Sequence, residues 1–545
     1  MNLGNLPPGA SSPTDVISQK VLINGEAISN EVQVSQIVVR KAYNKIAMAR
    51  LILLDGTVAD RDFVQSNGDS FKPGNKITIQ LGYHGEVETV FDGIIVKHGI
   101  KARGKTSVLV LEAKDKAIIL TGARKSAYHI NKTDSDVMGD LAGSLDTDIT
   151  STSVTHKQLI QFDSTDWDFI VTRAEANSML VLTDDGKLIV KQPSTSGESV
   201  LTATYGDNIF EFEAEMDARR QISQVTSHSW DYSQQEVEES DPGSSNFSEN
   251  GNLSSEDLAS VLSAEIKLMH SGHLEANQLQ KWSDSWSLRN HLSKTIGRVR
   301  IEGNTKPKPG SMITLDGVGD RFNGNVFVTG VLHQYDGKWF TDIQFGWRDD
   351  WFYKKENVMD KPASGLLPGV NGLQIGVVLD VNDSEGGGQY RVKVKIPTIT
   401  SGDEGLWARV ATVDAGTDRG FFFRPQTGDE VVLGFMSDDP REPIILGYLH
   451  SKDNKKSPLP EQDGMEQYGI VTKEGIKLVF DDTNKRVTVL VPTASGEKSL
   501  IMNDDAGAIE LKDENQNSFK MDAQGITIQS GAGIVTIKGT QVMIN

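Results

Sequence analysis

The 545-residue chain contains no cysteine. That absence excludes a disulfide framework, a thiolate metal site and a cysteine nucleophile. No apolar run is long enough to cross a bilayer as a helix. The opening residues, MNLGNLPPGASSPTD, lack both the basic and the apolar region of a secretory signal, so synthesis in the cytoplasm without Sec export is expected. Cations are also in deficit. Lys and Arg number 55 against 75 Asp and Glu, a net charge of −20. Duplex nucleic acid and anionic membrane are therefore unsuited as main partners, because both need clustered Lys and Arg. Neither G-x-S-x-G nor H-E-x-x-H occurs.

What is present is mainly β patterning, with 52 glycines to supply turns. Between residues 16 and 122, VSQIVVRKAY and MARLILLDG read as extended, and NKITIQLGY, VFDGIIVKHGI and TSVLVLEAKD alternate. Helical signals follow over 123–205. TDSDVMGDLAGS has an N-cap start, and STDWDFIVTRAEANSM places Phe169, Ile170, Arg173 and Ala174 at helical spacing. MLVLTDDGKLIVKQ predicts a hairpin turning on Asp185-Gly186. Residues 232–256, rich in Ser, Glu, Asn and Asp, predict a mobile loop. A polar helix is expected near 273–294, and strand patterns resume to about 348.

This first part of the chain contains a repeat. KPGNKITI (72–79) recurs as KPGSMITL (308–315), and DGIIVKHG (92–99) recurs approximately as TGVLHQYD (329–336). A Gly-Lys pair and a further strand follow each copy. Two related barrel-like units are expected, 1–122 and 206–350, with an α/β insertion at 123–205 between them.

A linker (351–369) leads to a compact all-β unit at 370–455 and a connector at 456–469. From 470 to 545, apolar-x-apolar triplets recur: Ile476/Leu478, Val487/Val489, Leu500/Met502, Ile509/Leu511, Phe519/Met521, Ile526/Ile528, Val535/Ile537 and Val542/Ile544. Strands this short leave edges unpaired and one apolar face wet. The chain either winds into a β-helix or wraps with identical chains around one axis.

Candidate chemistry is sparse. GIKARGKT (99–106) satisfies the phosphate-loop pattern G-x-x-x-x-G-K-[ST], but that motif works only between a strand and a helix. The TSVLVLEA that follows alternates as a strand does, so the match reads as a hairpin, with Gly337-Lys338 as its counterpart. His270 and His273, with Glu275 nearby, resemble a zinc pair without further ligands, and a solvated loop is expected. DVNDSEGGG (380–388) lacks glycine at calcium-loop position six. Asp429 and Glu430 sit where a turn enters a strand. The expectation is no enzyme, no catalytic residue, no cofactor and no metal.

One segment carries a specific resemblance. GLQIGVVLDVND, YRVKVKIP and LWARVATVDAGTDRGFFFRPQTGDEVVLGFMSDDPREPIILGYLH supply its motif residues. These are Trp407-Ala408-Arg409-Val410, Ala415-Gly416, Gly420, Pro425, Gly428-Asp429-Glu430-Val431, Asp438/Asp439-Pro440 and Pro443 to Gly447. The segment resembles the OB-fold domain of VgrG-type spike proteins of contractile injection systems: type VI secretion, phage-tail-like extracellular particles and phage baseplates.

The resemblance implies a mainly β fold. It has two barrel-like hub subdomains with an α/β insertion, an OB-fold β-barrel and a C-terminal trimeric β-helix needle. It implies a homotrimer that adapts threefold symmetry to a hexameric inner tube, contacts baseplate proteins and is driven through a target membrane. A PAAR-type cap protein would dock on Val542, Met543, Ile544 and Asn545, and cargo effectors could ride on the particle outside the cell. The 456–469 gap is too short for the lysozyme domain of some relatives, no effector is expected after Asn545, and no His-x-His iron motif follows His450. A trimeric β-rich tail fibre or adhesin is the alternative.

Overall fold

The computed structural model describes residues 16–59, 61–103, 106–347, 350–355, 358, 360–383, 389–399, 401–402, 404–452, 456–459 and 466–544. It divides into two compact units, 1–360 and 361–545.

In the first unit a 13-stranded sheet runs through both copies of the repeat. In the first copy, strands Val34–Ala42, Lys45–Leu54, Thr106–Lys114 and Glu86–Arg103 lie side by side in that order. The second copy lays down Ile209–Glu215, Ile296–Glu302, Trp339–Phe345 and Gly324–Tyr335 in the same order. Gly324–Tyr335 pairs antiparallel with Val34–Ala42, so the two blocks form one continuous sheet. Each block curls over its own apolar core. Ile37, Val39, Leu51, Ile79, Phe91 and Leu109 fill the first, and Val299, Ile301, Ile313, Val328, Ile343 and Phe345 fill the second.

The structure corrects the register of the repeat. A β-bulge follows Ile95 in the first copy and Val328 in the second. The KPG loops confirm the match: Gly74 N donates to Ile95 O as Gly310 N donates to Val328 O. Thr329 to Tyr335 is therefore equivalent to Val96 to Ala102, four residues later than the sequence match suggested. An alternating strand keeps the same inward face when slid by an even number of residues, so pattern matching alone cannot detect such a slip.

Two insertions decorate the sheet. In the first, helices Asp134–Ala142 and Asp166–Ala176 start on the side-chain caps of Thr133 and Thr165. They pack Met138, Trp167, Ile170 and Val171 over Val181 and Val190. Asp185 (φ 55°) and Gly186 (φ 91°) make the predicted hairpin turn between Leu180–Asp184 and Lys187–Lys191. Ser199–Thr204, by contrast, pairs with Met312–Asp316 of the second copy.

In the second insertion the expected loop at 232–256 is partly structured. Glu236–Glu239 pairs with Gln224–Asp231, Gly243 N donates to Val225 O, and Phe247 packs edge-on to Phe327. Its serines and asparagines serve as hydrogen-bond partners for neighbouring backbone, which polar composition alone does not reveal. Helix Ala276–Leu292 occupies the expected polar stretch.

In the second unit, Gln374–Asp380, Val392–Lys395, Leu406–Val410, Pro443–Tyr448 and Glu430–Phe435 close into a five-stranded barrel. Val378, Val394, Ala408, Val431, Leu433 and Ile445 fill it. The C-terminal segment is a seven-stranded antiparallel meander from Gln467–Val471 to Gly525–Gln529.

Candidate functional site

The phosphate-loop match lies on a β-hairpin. Gly99 sits mid-strand opposite Val110, and the ladder runs to Arg103 opposite Thr106. The following element, Thr106–Lys114, is a strand, so the match has no helix N-terminus to face a phosphate. Gly104 and Lys105 lie outside the described residues. The strands of the first copy, Glu86–Arg103 and Thr106–Lys114, are longer than Gly324–Tyr335 and Trp339–Phe345 of the second.

The histidine pair separates. His270 turns its Nδ1 to the backbone of Gly272, whereas His273 meets Asp231 and Glu238, with ligand-type atoms within 4.8 Å of one another. Asp231 already accepts the Ser233 and Gln234 amides, which hold its carboxyl below the usual range. Sequence distance hid this trio, because Gln224–Asp231 and Glu236–Glu239 bring it together by pairing.

In the 380–388 stretch, Asp383 is clamped by Arg391 at 2.9 and 3.2 Å, and 384–388 lie outside the described residues. Asp429 accepts the Gln426 amide beside Gly428 (φ 87°), as a turn residue does.

One buried constellation superficially resembles catalytic machinery. Asp134 accepts bonds from Arg173 (2.6 and 2.9 Å) and Asn177 (2.9 Å), and lies 3.0 Å from His156. Burial raises its pKa, but Arg173, His156 and Asn177 outweigh that and hold it at about 2. The other ring nitrogen of His156 meets Gln278. The Asp134 side chain is only 2% exposed, and the cluster fastens the Asp134–Ala142 helix. Asp342 is likewise buried, between Arg298 (3.1 Å) and Arg300 (2.9 and 3.0 Å).

The surface that sequence patterning singled out is the C-terminal sheet. Its register stacks the triplets in two columns on one face. Leu478, Val489, Leu500, Leu511, Phe519 and Ile528 are successive cross-strand partners. Phe480, Val487, Met502, Ile509, Met521 and Ile526 form the second column. The first triplet is thus Leu478/Phe480; Ile476 precedes its strand.

The columns remain open to solvent in the single chain, with Leu511 54% and Ile526 66% exposed. No strand follows Gln529 among the described residues, so Val535/Ile537 and Val542/Ile544 do not continue the ladder. Val542, Met543 and Ile544 are exposed, and Asn545 lies outside the described residues.

Comparison with known proteins places the parts. Residues 13–336 match the Alg8 N-terminal domain. Residues 374–450 match the Type VI secretion system/phage-baseplate injector OB domain, and 488–545 match the Phage baseplate V C-terminal trimerisation domain. A type VI secretion system spike protein, VgrG2a of Pseudomonas aeruginosa, is 28% identical over 158 residues, which is 27% of this chain and 18% of that protein. The actin cross-linking toxin VgrG1 of Vibrio cholerae is 30% identical over 122 residues, 21% of this chain and 11% of that protein. The matched segment thus spans under a fifth of either relative. A solved E. coli type VI secretion component has 13% identity and a TM-score of 0.41, covering 79% of this chain and all of that one.

The OB barrel and the trimerisation segment are thus similar to parts of VgrG-type spike proteins and phage baseplates. The chain belongs to the family of the Alg8 N-terminal domain, which covers more than half its length.

Proposed function

We propose that three copies of this chain form the central spike of a contractile injection machine and act mechanically, without catalysis. The open apolar columns of the C-terminal sheet carry this reading. A face this apolar, in register over six strands, needs cover, and wrapping three identical sheets around one axis supplies it. The trimerisation domain matched at 488–545 supports the number three.

The duplicated hub sheet would then present six similar blocks around the axis, a platform suited to a hexameric inner tube, with baseplate proteins around it. Sheath contraction would drive the spike through a target membrane. Val542, Met543, Ile544 and Asn545 would dock a PAAR-type cap, and cargo would travel outside the cell with the particle. Mass in solution tests the assembly: the expected species has three times the 59.5 kDa chain mass. A monomer would sink the reading. Removal of residues 470–545 should abolish or weaken the trimer.

A further inference from the structure

The hairpin that opens the second insertion gathers carboxylates on one face. Gln224–Asp231 pairs antiparallel with Glu236–Glu239, setting Asp231 opposite Glu236 and Ser229 opposite Glu238. Side chains alternate along a strand, so Ser227, Ser229 and Asp231 share a face, and their cross-strand partners Glu236 and Glu238 join them there. Like charges directly opposite each other destabilise such a pairing.

Other buried or half-buried carboxylates of the first unit are answered by a cation. Asp134, Glu175, Glu249 and Asp342 each have an Arg or Lys nitrogen within 3.6 Å. Asp231 and Glu238, both half-buried, pair with no Lys or Arg among the described residues. Glu238 makes no hydrogen bond among them either.

A histidine is held over the same face. Ser229 is 2% exposed; Leu274 N donates to its Oγ at 3.2 Å, and the Oγ donates to Leu274 O at 3.4 Å. Ser227 Oγ donates to Leu279 O at 2.6 Å and fixes the first turn of helix Ala276–Leu292 on that side. The two serines thereby anchor the chain that follows His273, and its ring lies beside the carboxylates. Ligand-type atoms of Asp231, Glu238 and His273 fall within 4.8 Å of one another. His273 Nδ1 is buried with no hydrogen-bond partner among the described residues, and Nε2 lies 3.9 Å from Glu275 Oε1. One ring nitrogen unpaired and the other turned to a carboxylate is the arrangement of a metal-ligating imidazole.

We propose that Asp231, Glu238 and a ring nitrogen of His273 bind one divalent cation per chain, with Glu275 orienting the imidazole and water completing the coordination. The nitrogen ligand selects a cation of the zinc class over calcium or magnesium, which take oxygen. The ion supplies the positive charge that no Lys or Arg brings to these two carboxylates. It also ties the two strands of the hairpin to the segment entering the helix, and so braces the insertion. Asp231 is set for this before any ion arrives, since the Ser233 and Gln234 amides hold its Oδ1. All three ligands come from one chain, so the site is independent of the three-copy reading.

The test uses untagged full-length protein stripped with EDTA. Zinc chloride is titrated by calorimetry, and the zinc retained after dialysis is counted by mass spectrometry. One zinc per chain is expected, with a rise in melting temperature that EDTA reverses. Glu238→Gln and His273→Ala should each weaken binding at least ~10-fold, the lower end of what even outer partners of a metal site contribute. His270→Ala, whose ring meets the Gly272 backbone instead, should bind as wild type does. Circular dichroism checks that each variant is folded. Should His273→Ala fail to fold, Glu238→Gln decides, because no hydrogen bond or ion pair among the described residues is lost with it. Wild type that retains no stoichiometric zinc overturns the site, and so does a Glu238→Gln protein that binds like wild type. Calcium bound more tightly than zinc overturns the role given to His273.

Discussion

Replacing Leu500 and Leu511 by glutamate tests the assembly face most directly. The two side chains are cross-strand partners at the centre of the columns. In the single chain Leu500 is 36% exposed and Leu511 54%. Fully burying a leucine side chain stabilises by about 1.5–3 kcal/mol. The exposed fractions therefore leave roughly 2 kcal/mol per chain to be gained on wrapping, or about 6 kcal/mol over three chains. The double variant forfeits this and adds six carboxylates to a dry seam, which costs more still. At about 1.4 kcal/mol per factor of ten, the loss corresponds to at least a ~10⁴-fold weaker assembly.

Light scattering across a micromolar concentration series reads the outcome. Wild type should hold its mass, and the variant should fall to the monomer. Far-UV circular dichroism should change little, because both positions are already partly exposed. Thr527→Glu, exposed and opposite Lys520, serves as the control and should leave the mass unchanged. A Leu500→Glu/Leu511→Glu protein that stays trimeric at the same concentrations would refute the argument that these columns form the seam.

Three further outcomes are expected. Burial, with Lys41 and Lys308 nearby, depresses the His333 pKa from 6.5 to about 3, so the unfolded chain binds a proton that the folded chain refuses. Stability should fall by about 4 kcal/mol between pH 6.5 and pH 3, at about 1.36 kcal/mol per unit, and His333→Gln should flatten the melting temperature across that window; an unchanged slope would remove His333 as the cause. Asp342→Asn should cost about 2 kcal/mol by urea denaturation, because Arg298 and Arg300 lose the buried carboxylate while retaining Glu211 and some solvent; a loss within 0.5 kcal/mol would show the clamp to be idle. ATP should give no saturable heat on titration; binding that disappears in Lys105→Ala would overturn the hairpin reading of Gly99 to Thr106.

Legibility followed the range of the interactions involved. Thr133 and Asp185-Gly186 announce a cap and a turn through bonds spanning a few residues, and both fall where the sequence placed them. Five of the eight apolar triplets, Val487/Val489 to Ile526/Ile528, were equally plain, because strand period and turn spacing together dictate their stacking; the first was off by two residues and the last two lie beyond the ladder. The repeat was visible, but its register was not. The bulges after Ile95 and Val328 depend on strand partners remote in sequence, and a shift of four residues preserves every inward face. The Asp231, Glu238 and His273 trio and the buried role of His333 were hidden for the same reason: each is created by a neighbouring strand. Composition told only part of the story at 232–256, where polar residues such as Ser240 and Asn250 also bond neighbouring backbone.

A rod that transmits axial load should have no strand edge from which to peel. The OB barrel meets this condition within one chain, since its five strands close on themselves. The C-terminal sheet does not, because its columns stay wet in a lone chain. Contact between columns rests on burial of apolar surface, which salt does not screen, whereas pairing through exposed charges weakens as ionic strength rises. If the columns form the seam, the mass in solution should therefore stay that of the trimer as sodium chloride is raised. A trimer that falls apart with added salt would mean that charges, and not the columns, hold the chains together.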